Sequence, residues 1–374
     1  KEGLKNSAKC ASEAVNHLRM VAYHSHIALA YSWHAESHIS LTRHETKVRR
    51  KKVLLRRAIE LGRKGLEYAE NSGVPWPAYI ILNTLSKALN LLSNIEVEIR
   101  RKRQLLEEAL KYRELNIKVF EESRPHFDYW SRGVFQNYLA LTKAELAKIE
   151  LEKERKRSFL KESILSMQKC SKLAERWVSL NPQPRLFASL GAYYDQFGNI
   201  LNQLYSLTKA ESLLNKIIGV YQASAESFGK ADMPSRIAEV NWHIASIKNR
   251  LGDHIGASKN FEFARENYER AAERIPQLKD FFTNYSFYMQ AWSEIEKARM
   301  SHAREDYSQS REHYEEAARL HESSRLWNYL APNYLAWSHL EHAEDLSRRE
   351  ECQEAIRAFQ RAMKLFVEAK GSIK

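Results

Sequence analysis

The chain has 374 residues, of which 44% are hydrophobic and 28% are charged, with only 12 glycines and 8 prolines. The length exceeds what one compact core usually supports, and the scarcity of helix breakers favours long helices over a disordered or disulfide-rich chain. The formal net charge of +12 belongs to the first half: residues 1–180 carry 34 Lys and Arg against 21 Asp and Glu, and residues 181–374 carry 25 against 26.

The composition also bears on the cell compartment. No apolar run approaches membrane-spanning length, and no signal peptide opens the sequence, so we expect a cytoplasmic protein without a membrane partner. Cys10, Cys170 and Cys352 are far apart and form no CxxC pair, which argues against a disulfide framework or a cysteine zinc site. Because the chain begins at Lys1, we interpret it as a fragment of a longer multidomain protein.

The first predicted helix contains the histidine-rich stretch HSHIALAYSWHAESH, residues 24–38. Along a helix, only His34 and His38 are close enough to share one ion. A tetrahedral zinc site needs three or four ligands, and the order of residues is not that of an HExxH motif. We therefore predict no metal site and keep His34 and His38 as the one candidate pair.

Three basic runs follow at similar intervals: RRKK at 49–52, RRKR at 100–103 and RKR at 155–157. We interpret them as the ends of the first helices of successive hairpins, where cations complement the helix dipole. Four like charges in a row exceed that need, so we predict a basic ridge that contacts an acidic protein segment, a nucleotide or nucleic acid. The basic ridge comprises Arg49, Arg50, Lys51, Lys52, Arg100, Arg101, Lys102, Arg103, Arg155, Lys156 and Arg157.

The last third of the chain contains the clearest repeats. AWSEIEKA at 291–298 matches AWSHLEHA at 336–343, 45 residues later. In LGDHIGASKNFEFA, residues 251–264, the small, aromatic and small residues Ala257, Phe261 and Ala264 share one helical face, and the same pattern starts again at Ser310 and Ala355. This pattern resembles the second helix of the tetratricopeptide repeat. The resemblance implies an all-α, right-handed superhelical α-solenoid of antiparallel helical hairpins.

Weaker copies of the marker position lie at Ala58, Ala109, Ser163 and Ala210, and all eight prolines fall between the resulting units. We predict a single repeat domain, 1–374, of about seven hairpins with units longer than the family's own, similar to the sensor and scaffold regions of multidomain signalling ATPases. The first unit has a longer first helix or an insertion, or is an atypical cap. The predicted units are 1–74, 75–124, 125–181, 182–232, 233–276, 277–324 and 325–374.

The resemblance implies that the first helices line a concave groove. Three amides in these helices, Asn83, Asn137 and Asn284, each lie 26 residues before their marker. An amide can hold a ligand's backbone because it donates and accepts at once. The aromatic residues Tyr138, Trp292 and Trp337 are the remaining groove candidates.

The sequence contains no P-loop, GxGxxG or GxSxG motif, so we predict no catalytic residue and no cofactor. The leading hypothesis is a non-catalytic interaction or ligand-sensing module that binds a peptide or protein partner in its groove and regulates an effector domain. The alternative is a helical-repeat module that binds nucleic acid or a nucleotide through the basic ridge.

Overall fold

The computed structural model describes residues 2–20, 23–123 and 128–372. This part of the chain contains 15 α-helices, two short 3-10 helices and no strand. The α-helices are α1 (Glu2–Met20), α2 (His24–Thr42), α3 (Val48–Glu70), α4 (Trp76–Asn94), α5 (Ile99–Ser123), α6 (Tyr129–Ile149), α7 (Lys153–Leu180), α8 (Pro184–Thr208), α9 (Ser212–Lys230), α10 (Pro234–Arg250), α11 (His254–Arg274), α12 (Lys279–Ala303), α13 (Tyr307–Ser323), α14 (Ala331–Arg348) and α15 (Cys352–Ser372).

The all-α fold class predicted from the sequence is confirmed. From α2 onward, long helices follow one another through short links, and sequence neighbours such as α6 and α7 or α11 and α12 pack against each other. Several prolines begin a helix: Pro184 and Pro234 are the first residues of α8 and α10, where a missing N–H costs nothing. Pro125, which the sequence places between two units, lies outside the described residues.

The helices form two compact units. The N-terminal unit comprises Lys1–Asn181 and Asn199–Lys209, and the C-terminal unit comprises Pro182–Gly198 and Ala210–Lys374. The division of residues 1–374 into seven repeat units of one domain stays a prediction.

The core of the N-terminal unit is built on α2, which is buried on most of its surface. Ile27, Tyr31 and Ile39 of α2 pack with aliphatic side chains of α3 and α4. Small residues let the helices approach: a side chain at Gly62 of α3 would meet Leu85 of α4 at 2.7 Å. The helix α1 packs on α2 and precedes the first helical pair, so the additional length predicted for the first unit is a separate helix.

Hairpins in both units share one close contact. A buried serine hydroxyl of the second helix donates to a backbone carbonyl of the first: Ser163 to Ala140 at 2.7 Å, and Ser310 to Ala298 at 3.0 Å. Small residues at these points bring the two backbones together, as the sequence pattern predicts. The marker Ala210 is wrong, because it lies in the link before α9; the buried side chains in the first turns of α9 are Leu214 and Ile217.

Candidate functional site

A cavity of about 520 Å³ lies in the C-terminal unit between α12 and α14, the first helices of two consecutive pairs. We call it the α12–α14 cavity. Its volume falls in the range of sites for small molecules or a few peptide residues. Its lining residues are His254, Ile295, Arg299, His302, Ala303, Tyr314, Asn333, Tyr334, Trp337 and Glu341.

Two buried carboxylates fix the polar side chains of the cavity. Glu296, whose side chain is 0% exposed, accepts from Arg299 at 2.8 Å and lies 2.7 Å from His254 Nδ1. Glu341, 2% exposed, lies 3.0 Å from His302 Nδ1. Buried charges need such partners because burial removes them from water. The pairs therefore hold the arginine and both histidines in place at the rim.

The aromatic wall of the cavity is rigid and stays uncharged. Tyr314 stacks on Tyr334, with ring centroids 6.4 Å apart, and on Trp337 at 6.0 Å. Burial raises the pKa of Tyr314 to about 12, and burial likewise raises the pKa of Tyr334. Both phenols therefore remain protonated near neutral pH and are hydrogen-bond donors.

The chemistry of the lining suits recognition. The ten residues include a guanidinium, a carboxylate, an amide and two imidazoles around aromatic rings, but no serine, threonine or cysteine beside the histidines. Such a site can hold a ligand that carries charges of both signs and an apolar part. The hydroxyl groups among the lining residues are the phenols of Tyr314 and Tyr334.

The predicted groove aromatics occupy related positions. Trp337, 38% exposed, lines the α12–α14 cavity. Trp292 stacks on Phe261 at 5.9 Å, and the Arg299 guanidinium lies 6.0 Å from its ring centroid. Tyr138, in the N-terminal unit, is covered by the guanidinium of Arg113 at 4.8 Å. The structure thus places one of the three on the cavity wall.

The three predicted groove amides have different environments. Asn284 is fully engaged by its own chain, because its Nδ2 donates to the Asp280 carbonyl at 2.6 Å and its Oδ1 accepts from the Arg325 N–H at 2.7 Å. These bonds hold the amide to its own chain, and the ligand-binding role of Asn284 stays a prediction. Asn137 is 4% exposed, whereas Asn83 is half-buried; neither amide oxygen has a partner among the described residues.

The basic runs begin the second helices instead of ending the first, which corrects the prediction. Arg49 is the second residue of α3, Arg100 the second of α5, and Arg155 the third of α7. These are the positive ends of the helix dipoles, where cations are unfavourable. Each run lies within the first turns of its second helix. The helix dipole therefore cannot explain the basic ridge.

Part of the basic ridge joins neighbouring hairpins of the N-terminal unit. Glu96, in the link before α5, accepts from Lys52 of α3 at 2.9 Å. Glu150, in the link before α7, accepts from Arg103 of α5 at 2.9 Å and lies 3.5 Å from Arg155. The bond from Arg103 lowers the pKa of Glu150 to about 2. These contacts place the three runs side by side along one edge of the unit.

The other cations of the basic ridge have a different environment. Arg49, Arg50 and Arg100 are exposed. In the described part of the chain no carboxylate lies within 4.0 Å of the Arg49, Arg50, Lys51, Arg100, Lys102 or Lys156 side chain. These six cations remain available to an external anion.

The histidine-rich stretch is the buried helix α2. The rings of His34 and His38 lie 4.9 Å apart, and His38 Nδ1 is 3.0 Å from the His34 carbonyl. Burial, His38 and Arg57 together lower the pKa of His34 to about 4. Within residues 2–20, 23–123 and 128–372, no group of three His, Cys, Asp or Glu side chains is arranged to hold a metal ion.

Comparisons with known proteins match the fold. No protein-family model matches the sequence, and no curated protein matches it. Similar solved structures include a circular tandem repeat protein with a novel repeat topology (15% identity, 100% of this chain and 90% of that chain, TM-score 0.38). The apo form of RapI is similar over 98% of both chains (11% identity, TM-score 0.40).

A signal transduction ATPase with numerous domains and a tetratricopeptide repeat sensor, from Pyrococcus horikoshii, is similar over 92% of this chain (16% identity, TM-score 0.35). This chain spans 52% of that protein. In the described part of this chain, every helix is too short or too polar to cross a membrane.

Sequence reasoning missed most of the cavity. His254, Arg299 and Glu341 come from three different helices, and no short motif joins them. A signal was present for the acids, because Glu296 and Glu341 match between AWSEIEKA and AWSHLEHA among small, buried residues. A repeated carboxylate on a buried helical face indicates a paired cation.

Proposed function

We propose that this chain is a non-catalytic binding module whose C-terminal unit holds a short peptide segment in the α12–α14 cavity. The observation that carries the proposal is the convergence of Arg299, Asn333 and Glu341 on an aromatic wall in a space of about 520 Å³. Arg299 binds a ligand carboxylate, the Asn333 amide pairs with a peptide bond, and the stacked rings hold an apolar side chain.

Replacing Trp337 by Ala should weaken peptide binding by about tenfold or more, because a partly exposed tryptophan in a cavity is a typical binding hot spot. Random peptides displayed on phage would be selected on the whole chain, and the affinity of a synthetic winner measured by calorimetry. The matched control is Trp33→Ala, since Trp33 is 59% exposed in the other unit. A selected peptide whose affinity is equal for wild type and Trp337→Ala would refute the site.

We also propose that the basic ridge binds an acidic protein segment. Six ridge cations have no carboxylate neighbour in the described chain, and they lie near the positive ends of helix dipoles. Both observations favour the binding of an external anion. Exposed aliphatic side chains lie between these cations, Val97 at 89% and Leu151 at 93% exposure. A protein segment with acidic and apolar residues satisfies both features, whereas a phosphate backbone satisfies only the charges. Binding to nucleic acid is the competing outcome.

A further inference from the structure

Arg113, in the middle of α5, is buried and has no carboxylate within 4.0 Å among residues 2–20, 23–123 and 128–372. Its side chain is 5% exposed, and its Nε has no hydrogen-bond partner. In the described part of the chain, the Arg113 guanidinium contacts the ring of Tyr138 in α6, and its central carbon lies 4.8 Å from the ring centroid. Burial lowers the pKa of Arg113 to about 9, so the group is still protonated near neutral pH.

A buried cation without a counter-charge is costly to the fold. Cation–π contact with one tyrosine offsets only part of the lost hydration. The packing does not demand an arginine, because the same step of the repeat pattern, four residues after the marker, is filled by Phe261 in α11 and Tyr314 in α13. An aromatic side chain can therefore occupy this step of the pattern without burying a charge.

Arg113 contacts an aromatic ring of the following helix, as two residues at the same marker step do in the C-terminal unit. In the C-terminal unit, the residue at this step packs on an aromatic of the next helix: Phe261 on Trp292 at 5.9 Å, and Tyr314 on Trp337 at 6.0 Å. Tyr314 and Trp337 both line the cavity. Arg113 on Tyr138 is likewise a contact from a second helix to the next first helix, but it lies further along its helix: Arg113 is the fifteenth residue of α5, whereas Phe261 and Tyr314 are each the eighth residue of theirs.

Two further buried polar residues lie next to this pair. Asn116 is on the same face of α5, three residues on, and is 2% exposed; Asn137, 4% exposed, precedes Tyr138. The side-chain oxygens of both amides lack partners in the described chain. Native proteins rarely leave so many neighbouring polar groups unsatisfied, and a bound ligand is one ordinary reason.

We propose that Arg113 is the anchor of an oxyanion-binding site in the N-terminal unit, which takes a carboxylate or phosphate group. The guanidinium is a planar fork that pairs with either oxyanion through two parallel hydrogen bonds. Tyr138 holds the fork flat, and the bound anion supplies the counter-charge that the protein lacks. This site is independent of the peptide proposed for the α12–α14 cavity.

The test compares the thermal unfolding of the whole chain in phosphate, acetate and chloride at equal ionic strength. An anion that binds only the folded chain stabilises it by RT ln(1 + [L]/Kd), so about 50 mM phosphate should raise the midpoint by roughly 4 °C for a low-millimolar Kd. A rise in phosphate alone identifies a phosphate ligand, and a rise in acetate identifies a carboxylate.

The variant Arg113→Met should abolish the rise of the unfolding midpoint in phosphate or acetate, which we call the anion response. In chloride it should unfold at the same temperature as the wild type or at a higher one, because an unpaired buried charge is removed. The matched control is Arg176→Met. Arg176 also stacks on a tyrosine, Tyr129 at 4.3 Å, but is exposed, so this variant should keep the response.

The proposal is wrong if phosphate and acetate act on the wild type like chloride, or if Arg113→Met keeps the response. If Arg113→Met does not fold, Arg113→Lys is the second variant. It keeps the charge but loses the fork, so a folded Arg113→Lys chain with a reduced anion response supports the site, and an undiminished response overturns it.

Discussion

Buried glutamates are the residues that organise the polar contacts of both units. Glu96 and Glu150 receive cations from neighbouring helices at the edge of the N-terminal unit. Glu296 and Glu341 hold the arginine and histidines of the α12–α14 cavity. In each place a carboxylate is buried because a specific partner neutralises it, so removal of one member leaves an uncompensated charge.

Glu150 gives the clearest dependence of stability on pH. Its pKa falls from 4.5 in the unfolded chain to about 2 in the folded chain, so the contact stabilises fully above about pH 5 and is lost as the pH falls towards 2. Glu150→Gln should therefore lower the unfolding midpoint at pH 7 by about 2–4 °C, and the difference from wild type should shrink below pH 4.5.

The measurement for Glu150→Gln is a series of thermal or urea unfolding curves between pH 7 and pH 3. Glu154→Gln is the matched control, because the Glu154 side chain is 79% exposed and its nearest cation is 4.0 Å away. If Glu150→Gln is less stable than the wild type by the same amount over this whole pH range, the shape of the side chain, and not its ionised carboxylate, matters at this position.

At the scale of the helices, the distance between two packed helices decides which side chains fit between them. In the C-terminal unit, Gly191 and Gly198 of α8 face the rings of Phe228 and Tyr221 in α9. The Ser224 hydroxyl of α9 donates to the Gly191 carbonyl at 2.7 Å, which requires the two backbones to be near each other. Large aromatic side chains fit in this hairpin because the facing residue has no side chain.

Gly198→Ala should destabilise the protein by about 1–3 kcal/mol, although alanine is the better helix former, because the new Cβ would lie 2.4 Å from the Tyr221 ring. Gly219→Ala, with no atom within 4 Å of its new Cβ, should instead stabilise α9 by about 0.5–1 kcal/mol. Urea unfolding of both variants tests the contrast. Equal changes in the free energy of unfolding for the two variants would contradict the close packing of α8 against α9.

At the scale of the whole molecule, the excess of basic residues in the first 180 residues has two roles. Lys52 and Arg103 join hairpins through buried acids, and exposed cations such as Arg50 and Arg100 remain available. The two roles differ in their response to salt. Partly buried pairs are screened little, whereas the attraction of an exposed cation for an external anion falls with ionic strength.

The double variant Arg50→Glu/Arg100→Glu should weaken binding of a fluorescent polyglutamate peptide by about tenfold at about 50 mM salt, with less difference at about 200 mM. The control, Arg357→Glu/Lys364→Glu, makes the same change in net charge on exposed positions of α15. Anisotropy titrations measure both, and far-ultraviolet dichroism checks the fold. Tighter binding of single-stranded RNA or duplex DNA, abolished by the same variant, would establish the nucleic-acid alternative instead.

The sequence by itself determined the all-α class and the positions of many helices. Proline placement and the spacing of apolar residues act within one helix, so a short stretch of sequence is enough to predict them. Pro184 and Pro234 begin helices, and Ala257, Phe261 and Ala264 form one buried helical face. The sequence also located the basic charge, but it assigned the runs to the wrong helix of each hairpin, because a short link has no strong signal of its own.

Only the tertiary structure decided which polar residues meet. His254, Arg299 and Glu341 share one cavity although their helices are far apart in the sequence: 42 residues separate His254 from its partner Glu296, and 39 separate His302 from Glu341. The same holds for Arg113, whose burial depends on how α5 packs against α6. Helical periodicity fixes the face on which a side chain lies, whereas contacts between separate helices depend on packing. The two proposed ligand sites arise from those contacts.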